Sequence, residues 1–366
     1  MKSIPVLLIS LGLLFSLCHL LPGCSTPKTA PNDSSKSLTF EAPITLKLDS
    51  IRIAPVLYQE QRIIISGKYL ISMGAFRDTI FRVFALKDLK YLGAFGHIGK
   101  GPEDINGPGI SGFRSDPAGC QVSDMEMVKK VRIAPNPDFT ITQTILNRSR
   151  IPEAFFPFNN MMTINDTLIA GTLVVGSEKE LAWFNPVSGS TGFMIDYPEL
   201  MENVPPGAKG HLFTKAIDIS PDKVTIAMAY NWFPCIRIYQ TGTQNSQILN
   251  IDVGYTQNPK PTFTDRTVNI FDLTIFFENI CVTNKYMAAF LHHQKFDGVK
   301  GSEIQIKSLG NPVLYLLTTD GKPVARIQLE DWMKVYTLDE ANQRVLFFNP
   351  MVDNYLYFYD LGKMMK

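Results

Sequence analysis

The sequence predicts an all-β fold: a six-bladed β-propeller of four-stranded antiparallel blades, closed by an N-terminal strand. Three observations support this prediction. A strand–turn–strand unit recurs about every 55 residues, as in proteins built by stacking one supersecondary unit. The segments between turns are rich in aromatic and β-branched residues, as strands are. Finally, one strand is left over near the N-terminus and one is missing near the C-terminus.

Each repeated unit contains an apolar strand that follows a polar turn. Six positions are equivalent in this second strand and lie roughly 46 to 62 residues apart; they are Tyr69, Val122, Leu168, Val224, Tyr286 and Val345. A unit of this length has room for four strands plus turns, which is what a propeller blade requires. The unit around Val122 fits the pattern least well. A seventh blade would need a module within residues 254–280.

The two ends of the chain predict how the ring closes. After Val345 the last unit has one more strand, at residues 355–359, before the chain ends at Lys366. An unassigned strand at residues 44–48 precedes the first unit. If this strand pairs beside residues 355–359, both exposed edges disappear. A closed propeller predicts this arrangement, and a β-sandwich does not.

The N-terminal residues have the pattern of a bacterial lipoprotein signal. Lys2 precedes an apolar run at residues 4–21, which is short for a membrane span. The run ends in Leu-Pro-Gly-Cys, which resembles a lipobox with Cys24 as the lipidated residue, although proline is unusual there. The alternative is an ordinary secretory signal with an incidental cysteine. We therefore predict a signal peptide at residues 1–23, a polar tether at 24–38 and a single propeller domain at 39–366.

Composition excludes some classes of partner. The net charge is +1 with both signs interspersed, so there is no basic field to attract nucleic acid. The remaining cysteines, Cys120, Cys235 and Cys281, form no metal-binding or disulfide pattern. At most one pair could form a disulfide, and the interpretation as small core residues is favoured. We expect a monomer that contacts the membrane through its lipid anchor.

Two segments resemble a known family. Residues 91–104 are similar to the Phe-Gly-x-x-Gly-x-Gly-Pro-Gly-Glu connection of the TolB-like or NHL-like six-bladed propeller lipoproteins of Bacteroides-type bacteria, with Glu103 in place of a glycine. Residues 220–223 resemble the Ser-Pro-Asp-Gly turn of TolB-type blades, with Lys223 in place of its glycine. The resemblance spans most of residues 40–366. It implies the propeller fold and a cell-envelope location, and it assigns no activity.

The predicted ligand site lies on one face of the propeller. Connections that leave the outer strands, and those between second and third strands, gather around the axis on that face. Equivalent loops of three blades place there Arg77, Tyr230, Asn231, Trp232 and His292. Aromatic rings offer broad apolar faces, while the amide, guanidinium and imidazole can form oriented hydrogen bonds. Packing between blades is the competing interpretation of the aromatic residues.

Other candidate segments have weaker support. The glycine-rich residues 95–109 could hold an anion, but an ordinary connection between blades is favoured. The aromatic residues 155–158 are a second candidate patch, again with packing favoured. His292 and His293 are adjacent in a strand and so point to opposite faces, which argues against a metal site. Asp218 and Asp272 lie near the axial ends of strands, where a core carboxylate is favoured over a general base.

For function, the sequence predicts a non-enzymatic binding or scaffolding module that holds a glycan, a peptide or a partner protein on its axial face. No catalytic constellation and no metal-ligand set is visible, so no cofactor is expected. The alternative is a propeller enzyme of the lactonase or lyase type, which would require a calcium ion in the central channel. Residues 25–30 contain no acidic residue, a feature that favours the periplasmic face over the cell surface by resemblance to Bacteroides-type lipoproteins.

The anchor prediction is tested by Cys24→Ala. Loss of the lipidated thiol should move the protein from the membrane fraction into the soluble extract, measured by fractionation and immunoblotting. Cys18→Ala is the matched control, because Cys18 lies in the segment that is cleaved off, and it should leave the protein in the membrane fraction. Membrane partitioning of Cys24→Ala would contradict the prediction.

Overall fold

The computed structural model describes residues 33–53, 60–74, 79–124, 126–153, 158–173, 179–254, 261–264, 268–269, 273–300, 303–308, 310–329, 335–349, 354–362 and 364–365. For residues 158, 293, 296–300 and 303–306 it describes the backbone alone.

The described chain is almost entirely β-structure. Its strands are β1 (Asp33–Leu38), β2 (Ile44–Thr45), β3 (Asp49–Arg52), β4 (Arg62–Ser66), β5 (Tyr69–Met73), β6 (Thr79–Ala85), β7 (Tyr91–His97), β8 (Arg114–Asp116), β9 (Gly119–Ser123), β10 (Met127–Pro135), β11 (Ile141–Arg150), β12 (Phe158–Asn165), β13 (Leu168–Leu173), β14 (Lys179–Phe184), β15 (Thr191–Asp196), β16 (Lys215–Ile219), β17 (Thr225–Tyr230), β18 (Cys235–Gln240), β19 (Ser246–Ile251), β20 (Thr274–Val282), β21 (Tyr286–Lys300), β22 (Glu303–Ser308), β23 (Val313–Thr318), β24 (Pro323–Gln328), β25 (Val335–Asp339), β26 (Arg344–Phe348) and β27 (Tyr355–Asp360). Short helical turns occupy Ile110–Gly112, Pro206–Ala208 and Lys209–Leu212.

These strands pair into six sheets, each with a four-stranded antiparallel unit, so the protein is an all-β propeller. Five sheets take this unit from one stretch of chain: β4 to β7, β8 to β11, β12 to β15, β16 to β19, and β20, β21, β23 and β24. The sixth sheet combines β25, β26 and β27 from the C-terminal end with β3 from the N-terminal end.

The first strand of each sheet lies next to the first strand of its neighbour. Around the axis, β4 contacts β8, β12 contacts β16, β16 contacts β20, β20 contacts β25, and β25 contacts β4. Between β8 and β12, the helical turn Ile110–Gly112 makes the contact. The six first strands therefore surround a central channel.

Each junction between neighbouring sheets contains a hydrogen bond in which a side chain is the donor or the acceptor. In ring order they join Ser115 Oγ to the Ile65 carbonyl, Thr163 Oγ1 to Gln121 Oε1, Arg237 Nη1 to Glu180 Oε2, the Val282 amide to Asp218 Oδ2, Tyr336 OH to the Asn279 carbonyl, and Arg344 Nη2 to the Leu86 carbonyl. Buried polar groups need such partners, so these contacts restrict how neighbouring sheets can be aligned.

The prediction that residues 44–48 lie beside β27 is wrong. Ile44–Thr45 pairs in parallel with β24, and the strand beside β27 is Asp49–Arg52. The apolar character of residues 44–48 was misleading, because an outer strand needs few buried side chains. In β3, Ile51 packs against the core of the sixth sheet while its neighbours face outward. Leu46 and Leu48 instead pack against a cluster shared by β23, β24 and β27.

Part of the predicted tether at residues 24–38 forms a strand. Residues 33–38 form β1, which pairs in parallel with β19. Leu38 is buried with Leu249 and Ile251, and both carboxylate oxygens of Asp33 accept hydrogen bonds from Arg237 Nη2, at 2.7 and 2.8 Å. The folded domain therefore includes residues that composition assigned to the tether. Residues 24–32 lie outside the described part.

The core lies between the sheets and is formed by the apolar side chains of the strands. Cys120, Cys235 and Cys281 are buried in it as free thiols, which confirms their interpretation as small core residues. Burial raises the pKa of all three thiols, so they stay protonated.

A buried charge network joins β14 to its neighbouring sheet. The carboxylate of Glu180, on β14, contacts Lys215 Nζ at 2.8 Å and Arg237 Nη1 at 2.5 Å and accepts a hydrogen bond from Tyr230 OH at 2.7 Å. Desolvation alone would raise the pKa of this carboxyl, but the charges of Lys215 and Arg237 outweigh it and hold the pKa below the ordinary value of 4.5. Arg237 also binds Asp33, so the network reaches β1.

Glu180→Gln should destabilise the protein by about 3–5 kcal/mol, because two cations would then be buried with too little negative charge. The measurement is the free energy of unfolding in urea. Glu199→Gln, at an exposed position, is the control with the same chemical change and should lie within about 0.5 kcal/mol of the wild type. A loss below about 1 kcal/mol for Glu180→Gln would contradict this role.

The same network predicts a pH dependence. Because the folded-state pKa of Glu180 lies below its ordinary value of 4.5, its contribution to stability is present above that pH and declines as the pH falls through and below it. Unfolding free energies measured between about pH 6 and pH 3 should therefore fall more steeply for the wild type than for Glu180→Gln. Parallel pH profiles would exclude Glu180 as a source of the acid sensitivity.

Candidate functional site

A cavity of about 380 Å³ occupies one end of the central channel. It is lined by β4, β8, β16, β20 and β25, which are the first strands of five sheets, and by turns that follow these strands. The volume lies within the range of small-molecule sites. Because several sheets contribute to its wall, the cavity exists only when the ring is assembled.

The cavity opens at the end where first strands turn into second strands. Gly67, Lys223, Asn284 and Glu340 come from four such turns and line it. This is the end opposite to the loops on which the sequence placed the ligand site. These turns are the same polar segments that mark the repeat in the sequence. The recurring turns could therefore have identified the residues that surround this end of the channel.

Asp218 is the central side chain of the cavity. It lies on β16, and its Oδ1 accepts a hydrogen bond from Arg114 Nη1 of β8 at 2.8 Å and lies 3.5 Å from Arg62 Nη2 of β4. Its Oδ2 accepts a hydrogen bond from the Val282 amide of β20 at 3.0 Å. One carboxylate thus joins four sheets, so Asp218 is a partnered carboxylate, as the favoured interpretation of the sequence had it.

Positive charge exceeds negative charge around Asp218, because two guanidinium groups share one carboxylate. Arg114 is 2% exposed, and its Nε and Nη2 atoms are buried without a hydrogen-bond partner in the described part of the protein. The side chain of Arg62 is 16% exposed, and its ion pair with Asp218 is the longer of the two. Arg62 therefore offers donors to the cavity, while Arg114 adds charge behind it.

The pKa values of both arginines reflect this excess. Burial, followed by the repulsion of Arg62, lowers the pKa of Arg114 to about 9 despite the attraction of Asp218. Burial likewise lowers the pKa of Arg62, and Asp218 offsets only part of the effect. An additional anion in the cavity would stabilise the charged form of both groups.

Charges nearer the opening are of both signs. Lys223 is half-buried in its turn, and burial lowers the pKa of its amine. Asp339 is neutralised by Arg344 Nε at 2.8 Å, and Glu340 lies 4.0 Å from Lys285 Nζ. The acidic residues of the opening thus have their own cationic partners, and the excess positive charge lies deeper, at Arg62 and Arg114.

The rest of the cavity wall is mostly apolar. Isoleucine and valine side chains from β4, β16 and β20 contribute to it, together with the ring of Tyr336. The Tyr336 hydroxyl donates to the carbonyls of Asn279 and Ala288, at 2.9 and 3.0 Å, so it is already engaged. An apolar wall with a few convergent charges is typical of small-molecule sites.

The residues predicted as the ligand site are largely buried. Tyr230 is fully buried and donates to Glu180, and Trp232 is 8% exposed and packs against Leu273 and Ile275. The backbone of Asn231 bonds to Thr214 and Phe276 on the two sides of a junction between sheets.

His292 is 2% exposed and lies 3.4 Å from Glu278. Arg77 lies outside the described residues. The structure thus brings Tyr230, Asn231 and Trp232 together in one buried segment, and ligand binding at this set of residues stays a prediction.

The other candidate segments also have structural partners. In the glycine-rich connection, Asp104 Oδ2 accepts a hydrogen bond from the Gly101 amide at 2.8 Å, and the Asp104 carbonyl accepts one from Lys129 Nζ at 2.8 Å. The loop is therefore closed by its own carboxylate, in agreement with the interpretation as a connection between blades. Asp272, residues 155–157 and the side chains of Phe158 and His293 lie outside the described part.

No group of three or more His, Cys, Asp or Glu side chains among the described residues has the arrangement needed to hold a metal ion. Likewise, none of the helices in this part of the chain is long and apolar enough to cross a membrane.

No protein-family model matches the chain, and no curated protein matches it either. Solved structures do share its fold. A member of the DUF4221 family from Bacteroides vulgatus aligns with a TM-score of 0.56 at 12% identity, over 87% of this chain and 96% of that one. A presumed exported protein from Bacteroides fragilis aligns with a TM-score of 0.55 at 10% identity, over 90% of this chain and 99% of that one.

At these identities the similarity shows the fold alone. Both of these neighbours are Bacteroides proteins of nearly the same extent. Neither neighbour is named as TolB-like or NHL-like, so that narrower resemblance stays a prediction.

Proposed function

We propose that this protein is a lipid-anchored binding module of the bacterial cell envelope, which holds a small ligand in the central channel of a six-bladed propeller. The observation that carries the proposal is the axial cavity of about 380 Å³, with its apolar wall and the convergent Arg62, Arg114 and Asp218. A cavity of this size suits a ligand such as a monosaccharide better than a folded partner protein.

The blade number rests on treating each of the six sheets as one blade. Hydrogen bonds between β3 and β27 and the contact between β25 and β4 support closure by the N-terminal segment. Closure of this kind would leave no free edge between the first and last units. The strand in this role is Asp49–Arg52.

Envelope location rests on the lipobox-like residues ending at Cys24 and on the neighbour from Bacteroides fragilis that is presumed to be exported. The absence of acidic residues at positions 25–30 favours the periplasmic face. The anchor would keep the propeller in the envelope, where small molecules released from glycans or cell-wall material are available to it.

A binding role is favoured over catalysis because the central carboxylate of the cavity holds sheets together. Asp218 accepts a hydrogen bond from Arg114 on one oxygen and from the Val282 amide on the other, so both oxygens already make structural contacts. The calcium-dependent enzyme stays the alternative. It would be favoured if the purified protein contained stoichiometric calcium.

The proposal is tested by obstructing the opening of the channel. Ala341 is exposed in the turn after β25 and lines the cavity, so Ala341→Trp should place an indole across the opening without changing the core. The measurement is the shift in melting temperature on addition of monosaccharides, sugar acids, sugar phosphates and small carboxylates. We expect at least one of these probes to raise the melting temperature of the wild type and to have no effect on Ala341→Trp.

Val187→Trp is the matched control, because Val187 is 80% exposed in the turn between β14 and β15 and does not line the cavity. This variant should respond to the probes as the wild type does. If no probe stabilises the wild type, or if Ala341→Trp responds equally well, the channel is not the binding site.

A further inference from the structure

We propose that the ligand of the central channel carries a carboxylate, which binds to Arg62 with the charge of Arg114 behind it, and that the ligand is an acidic monosaccharide or a carboxylate of similar size. This inference rests on the proposed function, since it specifies the chemistry of a ligand in the same cavity.

The charges around Asp218 do not balance within the protein. Arg62 and Arg114 both approach the same oxygen of Asp218, at 3.5 and 2.8 Å, and Asp218 supplies a single negative charge. The other acidic residues of the cavity are engaged elsewhere, Asp339 by Arg344 and Glu340 near Lys285. One positive charge is therefore left uncompensated in a desolvated place, which is costly unless an anion from solution neutralises it.

Both guanidinium groups have hydrogen-bond donors that Asp218 does not engage. Asp218 engages one nitrogen of the Arg114 guanidinium, and Nε and Nη2, which form its other edge, have no partner in the described part of the protein. Arg62 is the more accessible of the two, and its side chain makes no hydrogen bond to the described residues. Guanidinium groups bind planar carboxylates through two parallel hydrogen bonds, so the donors of the Arg62 side chain match this class of ligand.

A carboxylate matches the charge beside Asp218 better than a phosphate does. Where Arg62 and Arg114 share Asp218, the uncompensated charge is one, so a monoanion balances the charge at this depth, whereas a phosphate monoester carries close to two negative charges at neutral pH. Lys223 adds a further positive charge nearer the opening. The apolar wall from β4, β16 and β20 leaves room for a ring beside the charged group. A monosaccharide with one carboxylate satisfies both conditions.

The experiment compares sugars that differ only in the acid. Glucuronate with glucose, and galacturonate with galactose, are matched in ring size, and glucose 6-phosphate tests the dianion. Dissociation constants are measured by calorimetry on the full-length mature protein. We expect at least one acid to bind at least about ten-fold more tightly than its neutral partner and than glucose 6-phosphate, since hydrogen bonds to charged groups contribute on this scale.

Arg62→Gln should then weaken binding of the acid by about ten-fold or more and leave the neutral sugar unchanged. The unliganded variant should melt no lower than the wild type, because it removes a repulsion with Arg114. Lys87→Gln has the same charge change at an exposed turn outside the cavity and is the control, with affinity unchanged. If Arg62→Gln does not fold, Lys223→Gln at the opening should still weaken acid binding by about two- to five-fold.

The outcomes separate this inference from the proposed function. If neutral sugars bind as tightly as their acids and Ala341→Trp blocks both, the channel is a binding site but does not recognise carboxylates. If glucose 6-phosphate binds more tightly than the sugar acids, the site recognises a phosphate and not a carboxylate. If none of these sugars binds, the inference about a carboxylate ligand fails. The proposed function is then decided by the melting-temperature experiment with the wider set of small molecules.

Discussion

The carboxylate of Asp218 is the contact on which the axis of this propeller depends. It joins β16 to strands of three other sheets, through Arg114, Arg62 and the Val282 amide. In a ring, each sheet is positioned only by its two neighbours, so a group that contacts several sheets at the axis fixes how the inner strands are aligned. It also keeps two cations close together at one end of the channel, where an anion from solution can reach them.

The charge networks around Glu180 and Asp218 differ in their balance of positive and negative charge. Around Glu180, two cations are matched by the carboxylates of Glu180 and Asp33, with Tyr230 and Ser246 as further partners. This network is complete within the protein, and its role is to hold two sheets and β1 together. Around Asp218 the cations are in excess and some of their donors are unused. Balanced networks suit a structural role, whereas an unbalanced one in a cavity suits a ligand.

The location of the cavity follows from the architecture. Turns between first and second strands are short and lie close to the axis, so they form a narrow wall around the channel at this end. The segment Tyr230 to Trp232 lies at the opposite end, where its side chains are used for packing between sheets. Aromatic residues in a loop are therefore a poor guide to exposure in a propeller, because neighbouring sheets cover them.

The sequence by itself determined the class of fold, the order of the strands and the turns, and the burial of the three cysteines, because these depend on local hydrophobic patterns that recur with each unit. Only the tertiary structure decided that Asp49–Arg52 lies beside β27 and that Asp33–Leu38 joins a sheet, because outer strands are mostly exposed and their composition resembles a linker. The tertiary structure also decided which charged side chains meet in the cavity. Arg114 and Asp218 are 104 residues apart and carry no local signature. A charged residue in the apolar first strand of several units was the signal available, but its partner is defined only when the ring brings those strands together.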